Sequence, residues 1–146
     1  MTIDDEIKLQ IADLPNPPEI INEWEIIADF LSDMFEWAGS KIDWSKAISH
    51  SFQRIGSGKD LWPSLIMEFI NVHIHDLICN SNGIFYINDS SLGFALKIRP
   101  EQFYNTLSLL VENVPQHHYF FDIDAKWCLV ISSEGYVDFG FSNAIT

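Results

Sequence analysis

The stretch "HHYFFDIDAKWCLVISSEGYVDFGF", residues 117 to 141, decides the fold class. It contains three runs rich in aromatic and β-branched residues, "HHYFFD", "KWCLVIS" and "YVDFGF", and such runs are typical of β-strands. The connections between them, "IDA" and "SEG", are long enough only for tight turns. Consecutive strands joined by tight turns pair in antiparallel fashion, so this stretch predicts a three-strand meander.

The segments before the meander predict a hairpin and two helices. The runs "IFYIN" and "GFALKI", joined by "DSSL", are typical of a β-hairpin. Pro100 and Pro115 bracket a run with apolar residues at spacings of three and four, which predicts an amphipathic helix. Another helix is expected after Asp60, a favourable N-cap, with Pro63 in its first turn.

The N-terminal part of the chain predicts two further helices. One extends from Glu19 to Ala38, where Gly39 ends the apolar periodicity, and a shorter one from Trp44 to about Ile55. Residues 1–18 are expected to form a lead-in segment that ends at "PNPP". We therefore expect one α+β domain over residues 1–146, with N-terminal helices packed on a mostly antiparallel sheet of hairpin, helix and three-strand meander.

The excess of acidic residues limits the classes of molecule that the chain is expected to bind. The chain has 21 acidic residues against 8 lysines and arginines, a formal net charge of −13. Such a charge repels nucleic acids and anionic membranes and attracts basic proteins, so we expect neither nucleic acid nor membrane as a direct partner. No signal-peptide pattern opens the sequence, and Cys79 and Cys128 are too few for a disulfide scaffold, which favours the cytoplasm. Cys128 lies within an apolar run and is expected to be buried.

The acidic residues of the predicted helix over residues 19–38 form a stripe opposite its apolar face. Glu25, Asp29, Asp33 and Glu36 lie on one side, with Trp37 among them, and no lysine or arginine occurs between residues 23 and 37. Like charges four residues apart repel, and the helix dipole favours acids only at the N-terminus. Folding gains nothing from this stripe beyond solubility, whereas a basic partner surface would stabilise it.

The candidate catalytic and metal-binding groups do not converge. His73, His75 and Asp76 are close in sequence, but residues two apart on a helix point about 200° from each other, so the histidines are not expected to share a metal. Asp122 and Asp124 suit either a polar pair on one strand face or a turn, and the turn is the favoured interpretation. We therefore expect no enzyme activity, no metal and no cofactor.

A further pattern extends through residues 117–141: a His-aromatic strand, a Trp in the next strand, then Glu-Gly-aromatic and Asp-aromatic-Gly. Its members are His117, His118, Tyr119, Trp127, Glu134, Gly135, Tyr136, Asp138, Phe139 and Gly140. This pattern resembles the closing segment of small bacterial immunity proteins, the antidotes of contact-dependent growth inhibition and related polymorphic toxins.

The resemblance implies a cytoplasmic antitoxin without catalysis of its own, which binds a toxin domain and blocks its active site or substrate groove. The toxin is often a nuclease, and the basic surface of a nuclease matches an acidic inhibitor. Two alternatives remain: an acidic adaptor or nucleic-acid mimic for another basic protein, and a small hydrolase using Asp122, Asp124 and the histidines. The residues expected to bind the toxin are Glu25, Asp29, Asp33, Glu36, Trp37, Asp122, Asp124, Glu134 and Asp138.

Overall fold

The computed structural model describes residues 2–88 and 91–144. Their α-helices are α1 (Ile3–Ala12), α2 (Trp24–Met34), α3 (Trp62–His73), α4 (His75–Cys79) and α5 (Phe103–Asn113). Their strands are β1 (Glu19–Ile21), β2 (Trp37–Ala38), β3 (Lys41–Ile42), β4 (Ile48–Arg54), β5 (Ile84–Asn88), β6 (Ala95–Ile98), β7 (His118–Asp122), β8 (Trp127–Ser132) and β9 (Tyr136–Phe141). Among these residues, no helix has the length and apolar character needed to cross a bilayer.

Seven of the strands form one antiparallel sheet in the order β1-β6-β5-β7-β8-β9-β4, and β2 pairs with β3 in a separate two-stranded hairpin. The predicted hairpin is present as β5 and β6, with Phe85 opposite Lys97. The predicted meander is present as β7, β8 and β9, with Leu129 between Phe120 and Phe139. Helices and an antiparallel sheet together confirm the α+β class.

The two faces of the sheet bury different cores. On the first, which we call the helix-rich face, Phe120, Leu129 and Val137 pack in one cluster with buried residues of α1, α3, α4 and α5. On the second, the hairpin face, Tyr119 and Val130 pack in another cluster with residues of α2 and the β2–β3 hairpin. Successive strand residues point to opposite faces, so one strand supplies both cores.

Strand β8 shows this double burial most clearly, because all six of its residues are buried. Trp127 lies in the core of the helix-rich face and Cys128 in the core of the hairpin face. The burial expected for Cys128 is confirmed. Adjacent strand residues point to opposite faces, so a regular strand with a single covered face would bury only one of these two neighbours; both are buried here because both sheet faces are covered.

The predicted helix over residues 19–38 is wrong at both ends. Residues Glu19–Ile21 form β1, where Ile20 lies opposite Leu96 of β6. Pairing with an open sheet edge outweighs the helical periodicity there, since β-branched residues suit strands. The helix itself ends at Phe35, whose backbone is extended, so that Glu36 and Trp37 lie outside it.

The predicted helix from Trp44 to Ile55 is also wrong. A 3-10 turn at Trp44–Lys46 leads into β4, which pairs with β9 as the other edge of the sheet. The far end of β4 is fastened to the β8–β9 turn, where the Ile55 N–H donates to the Gly135 carbonyl at 2.7 Å. Gly135 has a φ of 94°, and a Cβ there would lie 2.3 Å from the Gly56 carbonyl oxygen, so the turn requires glycine.

The lead-in segment contains helix α1, which the sequence analysis did not predict. Thr2 and Asp5 form a capping box at its start, and Ile7 and Ile11 are buried in the core of the helix-rich face. The helix predicted after Asp60 is present as α3, with Pro63 in its first turn, although Asp60 lies in a preceding 3-10 turn and is not the N-cap. The helix bracketed by the two prolines is confirmed as α5.

A buried polar network joins β5 to β7 on the helix-rich side. The Tyr86 hydroxyl lies 2.8 Å from Nδ1 of His118 and accepts a hydrogen bond from the Asn88 amide at 3.3 Å. Burial lowers the pKa of His118 to about 4, and neighbouring His117 acts in the same direction. The imidazole is therefore neutral in the folded protein, with Nδ1 free to accept the Tyr86 hydroxyl proton.

Truncating Trp127 tests the core of the helix-rich face. Because its side chain is 3% exposed, Trp127→Ala should lower the free energy of unfolding by about 3–5 kcal/mol, measured by denaturant titration. Trp127→Phe, which keeps most of the buried ring area, should cost clearly less. An unchanged denaturation midpoint for Trp127→Ala contradicts this placement.

The neutral His118 predicts a loss of stability in acid. The unfolded chain takes up a proton at an ordinary histidine pKa near 6.5, whereas the folded protein resists it until about pH 4, so stability falls as the pH drops between these values. The loss is at most about 3 kcal/mol for this group. His118→Gln should remove that part of the pH dependence in denaturant titrations at pH 7 and pH 4. Parallel profiles for both proteins contradict a neutral His118.

Candidate functional site

Three of the expected binding residues form a row on α2. Glu25, Asp29 and Asp33 follow one another at four-residue spacing and are exposed. Among residues 2–88 and 91–144, no lysine, arginine or histidine nitrogen lies within 4.0 Å of their carboxylates. The stripe predicted for this helix is thus present, shortened to three carboxylates that have no compensating cation.

Apolar side chains accompany this row. Ile26 is 68% exposed, and its helical position places it beside the three acids. One turn further along, Phe30 and Met34 line a groove of about 560 Å³ between α2 and the end of β9. Asp124 and Lys126 lie on the opposite wall of this groove. We call Glu25, Asp29, Asp33 and Ile26 together the acidic surface.

Glu36 and Trp37 do not belong to this row, and their expected position within the stripe is wrong. Glu36 is exposed beyond the helix end and accepts a hydrogen bond from the Asn143 amide at 3.2 Å. Trp37 packs its ring 5.9 Å from that of Tyr119, centroid to centroid. Its indole nitrogen is buried and has no hydrogen-bond partner within the described part of the chain. Trp37 therefore helps to seat the β2–β3 hairpin on the sheet.

Asp122 is the last residue of β7 and Asp124 lies in the turn that follows, as the turn interpretation predicted. The Asp122 carboxylate accepts the backbone N–H of Lys126 at 2.6 Å, and its carbonyl accepts that of Ala125 at 2.8 Å. Partial burial raises the pKa of Asp122, while the Lys126 N–H acts in the opposite direction. Asp124 is exposed at the turn itself, so the two carboxylates do not share a strand face.

Asp138, one of the two remaining expected residues, lines a second concavity, which we call the aromatic pocket, whereas the other, Glu134, is not among its lining residues. It has a volume of about 110 Å³ and lies on the hairpin face, between β3 and strands β7 to β9. Glu134 stands at its rim and pairs with Lys41 at 2.8 Å. The pocket is lined by Lys41, Ile42, Trp44, His117, Tyr119, Val130, Ser132, Tyr136 and Asp138.

Asp138 is held in place by groups from β4 and the turn before it. Its Oδ1 lies 2.7 Å from Nε2 of His50, and the His50 ring stacks on Trp44 with centroids 4.9 Å apart and planes 7° apart. Trp44 in turn lies over Gly140, where a Cβ would come within 3.1 Å of the indole ring. The absence of a side chain at Gly140 is what lets this stack approach the sheet.

The two carboxylates at the pocket differ in their electrostatic environment. Burial raises the pKa of Asp138, and the His50 hydrogen bond offsets this only in part. The hydrogen bond and charge of Lys41 lower the pKa of Glu134 at the exposed rim. Asp138 thus carries a negative charge that the fold does not fully compensate, while the charge of Glu134 is matched.

The β8–β9 turn fixes the orientation of the His117 ring. The backbone N–H of Ser133 donates to its Nδ1 at 3.0 Å. The other ring nitrogen, Nε2, faces the Glu134 carboxylate at 4.0 Å. The ring therefore presents an N–H donor to the rim of the pocket.

No sequence pattern indicated that Lys41, Trp44 and His50 belong to a site. Lys41 follows the predicted helix over residues 19–38, and Trp44 and His50 lie in the segment predicted to be the next helix. The available signal was the alternation of His50, Phe52 and Arg54, whose period of two is that of a strand.

The histidines near α4 do not form a metal site with each other. His73 packs against the Phe69 ring at 4.6 Å, whereas His75 lies 2.9 Å from the Tyr104 hydroxyl and 3.5 Å from the Cys79 sulfur. Over the described ranges, no group of three or more histidine, cysteine, aspartate or glutamate side chains is arranged to hold a metal ion.

No known protein family and no curated protein matches this chain. The resemblance of residues 117–141 to immunity proteins therefore stays a prediction. In the structure, alternate members of that pattern gather on the hairpin face, where His117, Tyr119, Tyr136 and Asp138 line the aromatic pocket.

Neutralising Asp138 should not weaken the fold. Asp138→Asn keeps an oxygen that can accept the His50 proton and removes a charge that burial disfavours. The free energy of unfolding at pH 7 should therefore hold or rise. Because the folded protein retains the Asp138 proton more strongly than the unfolded chain does, any gain should vanish below about pH 4. Denaturant titration at both pH values measures this, with Glu134→Gln as an exposed control. A clear loss at pH 7 contradicts the account.

Proposed function

We propose that this chain is an immunity protein that binds a toxin domain with a basic surface and neutralises it by covering its active site or substrate groove. The observation that carries this proposal is the row of exposed, unpaired carboxylates Glu25, Asp29 and Asp33 on α2. The resemblance of residues 117–141 agrees with it. Such a protein acts in the cytoplasm of the cell that makes it.

The row is unfavourable for folding, which supports a role in binding. Carboxylates four residues apart on a helix repel each other by about 0.2–0.5 kcal/mol per pair. Asp33 also lies in the last turn of α2, near the negative end of the helix dipole. A basic partner removes both penalties, since it supplies the cations that this part of the fold lacks.

The spacing of the row suits a surface that binds phosphates. Four residues advance about 6 Å along a helix, so the three carboxylates form a regular line of negative charge. A nuclease aligns lysines and arginines to bind a phosphate backbone, and a line of carboxylates presents the same sign of charge to it. Binding there excludes the nucleic acid without any chemistry by the inhibitor.

Ile26 provides an apolar contact within this charged row. Its 68% exposure is high for an aliphatic side chain, and the groove beside Phe30 and Met34 continues the apolar strip. Apolar anchors surrounded by polar groups carry most of the energy in many protein interfaces, while charges accelerate the encounter. The acidic surface combines both components.

A charge-neutral variant of the row tests the proposal. The combined substitution Glu25→Gln, Asp29→Asn and Asp33→Asn should slow association with the toxin domain encoded beside this chain's gene by roughly tenfold or more, and should weaken the salt dependence of the association rate. The fold should remain as stable or gain slightly. Surface-binding kinetics across a salt series measures the association rate.

The matched control is Glu6→Gln, Glu68→Gln and Glu112→Gln, which changes the net charge equally on exposed positions of α1, α3 and α5. It should leave association nearly unchanged. Equal slowing by both variants attributes the effect to net charge alone and contradicts a specific surface. If that toxin domain does not bind the unaltered protein at all, the immunity function is wrong, and an acidic adaptor for another basic protein becomes the better explanation.

A further inference from the structure

The aromatic pocket and the acidic surface lie on the same side of the sheet. Both belong to the hairpin face, where Leu31 of α2 and Ile42 of β3 share one buried cluster. Tyr119 links the pocket to the hairpin, because it lines the pocket and its ring also contacts that of Trp37. A partner that covers both α2 and the β2–β3 hairpin would therefore meet the pocket, which Lys41 and Ile42 of β3 line.

We propose that the aromatic pocket is a receptor for an arginine side chain of the partner, with Asp138 as the carboxylate that binds the guanidinium. This inference rests on the proposed function for the identity of the partner. The residues that line the pocket indicate which side chain of the partner binds there.

The first support is the second oxygen of the Asp138 carboxylate, Oδ2. His50 occupies Oδ1 at 2.7 Å, whereas Oδ2 has no hydrogen-bond partner among residues 2–88 and 91–144. The side chain of Asp138 is 15% exposed, so the carboxylate is mostly but not completely withdrawn from solvent. A donor that enters the pocket meets an acceptor whose position is already set by the His50–Trp44 stack.

The second support is the balance of charge around the pocket. Lys41 and Glu134 neutralise each other at the rim, where they lie 2.8 Å apart. Among the residues that line the pocket, Asp138 is the one carboxylate, and burial disfavours its charge by raising its pKa. A cation bound there stabilises this charge, whereas an anionic ligand would be repelled by it.

The third support is the shape and composition of the walls. Trp44, Tyr119 and Tyr136 supply three aromatic rings, and such rings bind cations through their electron-rich faces. The volume of about 110 Å³ is somewhat smaller than the roughly 150 Å³ of an engineered cavity that holds benzene. The pocket therefore admits a small planar group and excludes a nucleotide or a sugar.

Arginine fits these features better than lysine does. The guanidinium is planar, stacks on aromatic rings, and is less strongly hydrated than an ammonium group, so that it enters a confined site at lower desolvation cost. It can donate to Oδ2 of Asp138 and retain further N–H groups for Ser132, which lies in the same lining. An ammonium group has no flat face to place against these rings.

The test uses N-acetyl-arginine methylamide as the probe and needs no toxin. Titration followed by the indole N–H resonance of Trp44 should give a saturable shift. Asp138→Asn should weaken binding at least tenfold, and Tyr136→Leu severalfold. The variant with Glu25→Gln, Asp29→Asn and Asp33→Asn should bind the probe normally, because these acids lie outside the pocket. The lysine analogue should bind severalfold more weakly than the arginine probe.

A linear, non-saturating response in the unaltered protein overturns the proposal, as does full binding by Asp138→Asn. Equal binding of the lysine analogue overturns the assignment to arginine. This test and that of the proposed function fail separately. Arginine binding without toxin binding leaves the pocket assigned and the immunity function wrong. If the toxin binds through the α2 row but the arginine probe does not bind, the proposed function is supported and the pocket assignment is wrong.

Discussion

Burial of strand β8 on both of its faces is the constraint on which the rest of the structure depends. Its six residues are all buried and alternate between two separate cores. Antiparallel sheets commonly leave one face to solvent, but this strand has apolar side chains on both. The chain must therefore supply two covers. Helices α1, α3, α4 and α5 form one, and α2 with the β2–β3 hairpin forms the other.

The two covers bury the sheet to different extents, and the candidate sites lie on the face that is covered less completely. On the hairpin face, Leu31 is the only α2 residue that is fully buried, so the helix rests on the sheet along a narrow line. Concavities remain on either side of this cover: the groove at Phe30 and Met34, and the aromatic pocket at Trp44 and Tyr136. The outer side of α2 carries the acidic row.

The sequence predicted those elements whose signal is local. Strand β8 has an uninterrupted apolar run, and α5 is bracketed by prolines, so both could be assigned without knowledge of their neighbours. The edge strands could not, because Ile20 and Phe52 become strand residues through pairing with Leu96 and Asp138. Helical periodicity at residues 19–38 is real, but a strand at the open sheet edge overrides it at the start of that segment.

The same distinction applies to the site. The acidic row could be predicted because its members repeat every four residues within a single helix, where spacing alone determines the face. The hydrogen bond between His50 and Asp138 joins residues 88 positions apart, and it exists only because β4 pairs with β9 at the sheet edge. A segment interpreted as a helix could not reveal that contact. A site formed by the pairing of distant strands can be predicted only once the sheet topology is known.

The central claim is that the partner binds the cover of the hairpin face. Amide hydrogen exchange of the chain, alone and in complex with the proposed partner, a toxin domain encoded by a neighbouring gene, tests this directly. The account predicts slower exchange in the complex for α2 (Trp24–Met34) and for residues 37–42 of the small hairpin, with no change in α1 and α5. Protection confined to α1, α3 and α5, with α2 exchanging as in the free chain, would contradict it.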